Sequence, residues 1–220
     1  MIIYLICISI LVFKSTPNTK MFKPVIVAFN KPIWYVVSKS DKHNKTIFSI
    51  LPKSWLKDFY YIWRLDKNSD GLLLLTNVPE IVNEIEHPSK KNLKIYEVEI
   101  DKPFKSRLKE KFKKWIRVTE DWKLIEEKNL SKFEWINKDF LKVFDINYSK
   151  NKIWKHMLRI VLEYGKKRHI RRMLKSFWYK VIRLTRIKYW KYELWNIKPW
   201  KYKIFQLKIS NKHRKKMKKI

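Results

Sequence analysis

Short apolar runs, separated by polar turns, recur along the chain between residues 22 and 207. Their lengths of four to eight residues and their alternation are typical of β-strands. We predict strands at residues 25–29, 35–38, 60–65, 93–100, 140–146, 157–163, 181–187 and 203–208. Residues 30–32 are predicted as a turn, and 66–71 as a polar turn before the buried run 72–75.

Helices are predicted between these strands. A helical turn is expected at residues 46–51 and longer helices at 79–86, 104–114 and 166–177. The helix at 79–86 begins with proline, which is favoured in a first turn. In the last helix, Ile170, Met173 and Leu174 share one face at helical spacing and should pack on the core. Short strands mixed with a few helices indicate an α+β fold with a mixed, mostly antiparallel sheet.

The composition adds a large positive charge. The 220 residues include 45% apolar residues, enough to build a core, and 52 Lys and Arg against 20 Asp and Glu, a net charge of +32. Such an excess favours a polyanionic partner, either nucleic acid or an acidic membrane surface. However, 42 of the basic residues are lysine and Ala28 is the only alanine. An AT-rich genome favours that usage, so codon bias is an alternative source of part of the charge.

The two ends of the chain differ from its middle. Residues 1–13 are apolar but shorter than the ~20 residues of a membrane span, and neither a basic n-region nor a cleavage site accompanies them. We expect residues 1–21 to be an extension outside the fold, with Met21 as the natural start; a signal or anchor and a docked segment are the alternatives. Residues 22–209 form the expected folded domain, and 210–220 a basic, solvated tail.

Metal chemistry has no support in the sequence. Cys7 is the only cysteine and the five histidines lack ligand spacing, so neither a disulfide nor a zinc site is expected. Residues 66–71 match the opening of a calcium loop, but the twelfth position is Asn77 and a strand precedes the loop. We therefore expect no metal site.

Asp66 is the principal candidate for chemistry. It lies where an apolar strand enters a polar turn, next to Arg64 and Lys67 and before four leucines. A turn-capping aspartate is common at such a position, and composition alone favours that interpretation. The surrounding segments resemble one family, the pseudouridine synthases, in the branch that modifies single uridines of ribosomal RNA. The matching segments keep their order from about residue 22 to residue 207: NKP (30–32), RLDKNSDGLLLLTN (64–77), HPS (87–89), KIYEV (94–98), RHIRRM (168–173) and RLTR (183–186).

This resemblance implies a pseudouridine synthase fold of two lobes with a central catalytic cleft. It implies that Asp66 is the catalytic aspartate, that Tyr96 stacks on the target base and that Arg171 pairs with the aspartate. Leu184 would line the uracil pocket, and Arg64 would also contact the substrate. The family needs no cofactor or metal. About twenty residues precede the match, so we expect the chain to lack the small RNA-binding domain of many relatives and to act, like the short members, on large-subunit rRNA.

The residue types suit the reaction that the resemblance implies. Isomerisation breaks the N-glycosidic bond, turns the base and rejoins it through carbon, after the base has left its stack. A carboxylate nucleophile allows a covalent or ion-paired intermediate, and the residues leave open whether Asp66 attacks the base or the sugar. Tyr96 as a core aromatic and Arg171 as a phosphate ligand are the alternatives for those two positions. Contact with RNA is predicted for a basic set: Lys31, Lys166, Lys167, Arg168 and Arg172.

We therefore expect a cytoplasmic, monomeric enzyme that binds ribosomal RNA. Two other functions compete with this interpretation. A non-catalytic rRNA-binding or ribosome-assembly protein could keep the same fold, and a basic protein could be anchored to a membrane by residues 1–13.

Glycine is scarce and tryptophan abundant. The chain has 2 glycines and 11 tryptophans, whereas average usage of about 7% would give roughly fifteen glycines. The family pattern has glycine at Trp34, Trp63, Trp178, Trp190 and Trp200, and Trp115, Trp122 and Trp195 also fall at positions that resemble family glycines. We hypothesise that the gene uses UGA as a glycine codon, in which case several of these tryptophans should be exposed or have positive φ. Genuine tryptophans that stack on RNA are the alternative.

Overall fold

The computed structural model describes residues 23–118, 124–125, 140–151 and 155–207. The expected N-terminal extension, the start at Met21, the basic tail and Trp122 all lie outside these residues. Across the described ranges, no helix is long and apolar enough to cross a membrane.

Twelve strands and four α-helices are present in the described residues. The strands are β1 (Val25–Lys31), β2 (Tyr60–Ile62), β3 (Asp70–Thr76), β4 (Lys94–Ile100), β5 (Ile116–Val118), β6 (Leu124–Ile125), β7 (Phe140–Leu141), β8 (Asp145–Lys150), β9 (His156–Leu162), β10 (Val181–Tyr189), β11 (Tyr192–Glu193) and β12 (Tyr202–Gln206). The helices are α1 (Trp55–Asp58), α2 (Pro79–Glu86), α3 (Lys109–Lys113) and α4 (His169–Ser176). Short 3-10 helices cover Ile47–Ser49, Pro88–Lys90 and Ser106–Leu108.

Nine strands form one twisted sheet in the order β12-β1-β3-β10-β4-β9-β8, with β2 paired to β3 and β11 paired to β10. Strands β3 and β10 run parallel, through the pairs Thr185↔Asp70 and Arg186↔Gly71. The other described pairings in this sheet are antiparallel. A smaller sheet has the order β6-β5-β7. The expected mixed, mostly antiparallel α+β fold is therefore confirmed.

The main sheet carries a hydrophobic core on each face. The four consecutive leucines of β3 alternate between them, so that Leu73 and Leu75 pack in one core and Leu72 and Leu74 in the other. Such a continuous apolar run is what a strand buried on both faces requires. Helix α4 adds Ile170, Met173 and Leu174 to the first core, as their helical spacing predicts.

Several predicted elements differ from the observed ones. The expected strand at 35–38 is only an isolated bridge between Val36 and Thr46, and β1 continues through the predicted turn at 30–32 as far as Lys31. The strand predicted at 140–146 is divided between β7 and β8. Strand β2 ends at Ile62, three residues early, because Trp63 has a left-handed φ of 54° that a strand cannot continue through.

Candidate active site

A cleft with a volume of about 580 Å³ contains most of the predicted site residues. Its walls come from the loop between β2 and β3, from β4 and β10, and from the segment between β9 and α4. Among the residues that line it are Asp66, Tyr96, Leu184, Arg64, Lys166, Lys167 and Arg168. Residues more than 100 positions apart in sequence thus meet around one aspartate.

Lys31 stabilises the loop that carries Asp66 through hydrogen bonds to its backbone. The buried ammonium of Lys31 donates hydrogen bonds to the carbonyl oxygens of Pro32 at 2.9 Å, Ser69 at 2.8 Å and Asp66 at 3.3 Å. Burial lowers the pKa of Lys31 to about 8, although the carboxylates of Asp70 and Asp66 oppose this shift. The prediction that Lys31 contacts RNA is wrong, because its side chain is 0% exposed and anchors the loop that carries Asp66 instead.

Tyr96 is buried on β4 and forms part of the cleft wall. Burial raises the pKa of its phenol, the guanidinium of Arg186 lowers it, and the charge of Asp66 raises it further. The phenol is therefore neutral at ordinary pH and presents an uncharged ring in the same cleft as the aspartate.

Arg186 is a site residue to which the sequence assigned no role. Its side chain is 0% exposed and donates from Nε to the carbonyl oxygen of Leu72 at 2.7 Å and from Nη2 to that of Trp63 at 2.9 Å. The guanidinium thereby joins the end of β2 to the start of β3, the two ends of the Asp66 loop. The one sequence feature that pointed to Arg186 is its place in the Arg-Leu-Thr-Arg segment at residues 183–186.

Arg171 reaches the Asp66 loop but bonds to its backbone. Its Nη2 donates to the carbonyl oxygen of Asn68 at 2.6 Å and its Nη1 to that of Val181 at 3.3 Å. Burial and then the neighbouring Arg168 lower the pKa of Arg171, whereas the carboxylates of Asp66 and Asp70 raise it. Within the described residues no ion pair joins Arg171 to Asp66, so the expected pairing is not observed. Arg171 is instead close enough for the charge of Asp66 to affect its pKa, and it bonds to the backbone of Asn68, two residues after Asp66.

The other basic residues separate into two groups. Lys167 is exposed, and Lys166 and Arg168 are half-buried at the cleft. Arg172 instead points inward, where it is 9% exposed and donates to the carbonyl oxygen of Val118. The prediction that Arg172 contacts RNA is therefore wrong, because its guanidinium ties α4 to β5.

An ion pair next to the cleft was not foreseen. Arg183 donates to Oδ2 of Asp70 from Nε at 3.0 Å and from Nη2 at 2.6 Å, and Thr185 donates to Oδ1 at 2.6 Å. These contacts join β3 to β10 at the parallel junction. Alternation along β10 places 183 and 185 on one face, but the sequence contains no signal for their partner.

Metal ligands do not converge in the part of the chain that the structure describes, where no group of three or more His, Cys, Asp and Glu side chains could hold an ion. His169 lies in the cleft wall, yet burial and the charge of Lys166 lower its pKa to about 3. Its imidazole is thus neutral. Two acids line the cleft, Asp66 and Glu86, and Glu86 accepts a hydrogen bond from the amide of Trp63.

Comparison with known proteins gives one consistent family. The family model described as RNA pseudouridylate synthase matches residues 25–176. The chain is 29% identical over 167 residues to "Ribosomal large subunit pseudouridine synthase B" of Buchnera aphidicola, covering 76% of this chain and 59% of that protein. It is 32% identical over 175 residues to an uncharacterised RNA pseudouridine synthase of Rickettsia felis, covering 79% and 67%.

A solved structure described as a pseudouridylate synthase has the same fold, with a TM-score of 0.67 at 19% identity, over 84% of this chain and 71% of that one. The chain thus spans between about half and two thirds of the length of the curated relatives it matches.

Proposed function

Since the chain belongs to the RNA pseudouridylate synthase family, we propose that it converts a specific uridine of large-subunit ribosomal RNA to pseudouridine. The observation that carries this proposal is the cleft in which Asp66, Tyr96 and Leu184 meet beneath a basic rim. The names of the relatives from Buchnera aphidicola and Vibrio cholerae support the choice of the large ribosomal subunit. With such a substrate, the enzyme acts in the cytoplasm, and one cleft per chain makes a monomer sufficient.

Catalysis begins when the target uridine leaves its stack. Unstacking costs a few kcal/mol, and stacking against an aromatic ring returns about 1–3 kcal/mol per base. Tyr96 offers that ring at the cleft wall, and Leu184 provides an apolar surface beside it. The cationic side chains of Arg64, Lys166 and Lys167 would bind the flanking phosphates.

Asp66 then acts on the extruded nucleotide. The N1–C1′ bond breaks, the base turns, the C5–C1′ bond forms, and the proton on C5 is lost while N1 gains one, so the reaction needs no external oxidant or reductant. The carboxylate stabilises the detached state through a covalent or ion-paired intermediate. Lys31, Arg171 and Arg186 all bind backbone oxygens of this loop or its ends, and they hold the carboxylate in place during the rearrangement.

The decisive experiment maps pseudouridines in rRNA from cells with the gene, without it, and with an Asp66→Asn allele. Asn is isosteric but cannot act as the carboxylate, so we expect one rRNA position to lose its pseudouridine in the deletion and in the Asp66→Asn strain. In single-turnover assays the rate should fall at least ~10³-fold.

An Asp58→Asn allele is the matched control, because Asp58 is exposed on α1 and does not line the cleft. It should retain full modification. Normal modification in the Asp66→Asn strain would instead support the non-catalytic rRNA-binding alternative and overturn the proposal.

A further inference from the structure

Six tryptophans have left-handed backbone conformations. The φ angles are 73° at Trp34, 54° at Trp63, 64° at Trp178, 55° at Trp190, 26° at Trp195 and 68° at Trp200. In the described residues, eight non-glycine positions have positive φ, and these tryptophans are six of the eight. A Cβ is disfavoured in this region and a bulky side chain there is an outlier, whereas glycine enters it freely.

The end of helix α4 shows why glycine is required at one of these positions. The amide of Trp178 donates to the carbonyl oxygen of Lys175 at 2.9 Å, and that of Tyr179 donates to the carbonyl oxygen of Leu174 at 3.0 Å. This pair of bonds defines a Schellman motif, with residue 178 at its left-handed position after the helix cap. Glycine is the residue most enriched there.

Two tight turns also have geometries that favour glycine. A hydrogen bond from the amide of Lys201 to the carbonyl oxygen of Lys198, at 3.0 Å, closes a turn whose two central residues are Pro199 and Trp200. A type II turn favours proline at the first central position and glycine at the second. Trp190 is the first of two residues that join β10 to β11, and Lys191 has no positive φ. That pattern is typical of a type II′ hairpin turn, which has glycine at the first position.

Four of the six side chains are at least half exposed and gain little packing that could offset the backbone strain. Trp178 is 85% exposed, Trp195 77%, Trp34 62% and Trp200 50%. Trp55 is a contrasting case, since it is 5% exposed, stacks on Phe59 at 4.5 Å and has no positive φ. Trp55 therefore packs in the core, whereas the four exposed tryptophans lie at backbone positions that favour glycine.

Position 63 connects this pattern to the cleft. The indole of Trp63 lines the cleft with Asp66, and it lies so close to Gly165 that a Cβ there would be 3.1 Å from the ring. Glycine at 63 would relieve the backbone and widen the space beside the catalytic loop. This consequence for the cleft rests on the proposed function, but the backbone observations do not.

We propose that positions 34, 63, 178, 190, 195 and 200 are glycine in the working protein, because its gene has UGA codons there that the cell reads as glycine. The described chain would then contain eight glycines instead of two. Trp55 remains tryptophan under this proposal and is encoded by UGG.

The direct test is the mass of peptides from the protein isolated from its own cells, together with the codons of the gene. We expect each peptide that covers one of the six positions to be lighter by the difference between tryptophan and glycine, with the Trp55 peptide unchanged. Tryptophan in those native peptides, or UGG codons at the six positions, would overturn the proposal. Neither readout depends on enzymatic activity, so it can fail or succeed separately from the proposed function.

A recombinant comparison tests the structural requirement. The chain as written is compared with a variant that carries Trp→Gly at all six positions, and with Trp55→Gly as the matched control. We expect the sixfold variant to unfold at a midpoint roughly 10 °C or more higher, whereas Trp55→Gly lowers the midpoint because it removes a core ring. An unchanged or lower midpoint for the sixfold variant would refute the requirement for glycine, as expected if the tryptophans serve as RNA-stacking residues.

Discussion

At the scale of single residues, burial decides what a basic side chain does. Lys31 and Lys167 carry the same charge, yet Lys31 is enclosed beneath the Asp66 loop and Lys167 is exposed at the cleft. The sequence shows both as lysines next to family motifs and cannot distinguish them. The distinction depends on the fold, which brings three carbonyl oxygens around the ammonium of Lys31.

The pKa of Lys31 predicts how stability depends on pH. Its value is about 8 in the folded protein and 10.5 in the unfolded chain, so the unfolded state binds more protons between these values. The contribution of Lys31 to the free energy of unfolding must therefore rise with pH across this window. We expect the free energy of unfolding of the wild type, minus that of Lys31→Met, to increase from pH 8 to pH 10.5 in urea titrations.

Lys53→Met controls for the loss of one exposed charge and should show no such increase relative to the wild type. A difference for Lys31→Met that stays constant or decreases over this window would mean that burial does not disfavour the charged form of Lys31.

At the scale of elements, the sequence predicted the location of most strands to within a few residues, and it predicted the helix at Pro79–Glu86 with the observed bounds. These segments have a clear apolar period or a proline start, and their local preference agrees with the fold. The predictions at 35–38 and 140–146 failed because apolar character alone does not show which residues find a hydrogen-bonding partner. Similarly, Asp66, Tyr96 and Leu184 could be assigned by resemblance, whereas the pair Asp70–Arg183 depends on a junction between strands more than 100 residues apart.

The junction of β3 and β10 predicts a large effect for Gly71→Ala. Gly71 has a φ of 98°, and a Cβ there would lie 2.4 Å from the carbonyl oxygen of Arg186 and 2.9 Å from its amide nitrogen. Since both atoms belong to the backbone, the strands must separate. We expect a loss of about 2–5 kcal/mol in the free energy of unfolding, measured by urea denaturation.

Gly165→Ala is the matched control for this substitution. The three atoms nearest to its Cβ would all belong to the side chain of Trp63, the closest at 3.1 Å, and its φ is not in the left-handed range. It should cost less than Gly71→Ala, because a side chain can move where a strand cannot. Equal costs would contradict the assignment of β3 and β10 as a rigid junction.

At the scale of the whole molecule, the charge of +32 has two explanations. If the charge serves RNA binding, many lysines contact phosphates; if codon bias produced it, only those around the cleft do. Lys31, Lys94 and Arg172 are buried and bond to backbone carbonyl oxygens of the fold itself, so the net charge alone does not give the number of phosphate contacts. The relevant number is therefore the count of phosphate contacts and not the net charge.

The salt dependence of binding measures that count. For a single-stranded target, the logarithm of the binding constant falls with the logarithm of salt concentration by about 0.7 for each neutralised phosphate. We expect a slope that corresponds to roughly ten contacts or fewer for an rRNA fragment that contains the target uridine. Lys167→Ala should reduce the slope by about one contact, whereas Lys53→Ala, at an exposed lysine outside the cleft lining, should leave it unchanged. Equal reductions for the two variants would show instead that RNA is bound by the charge of the whole surface.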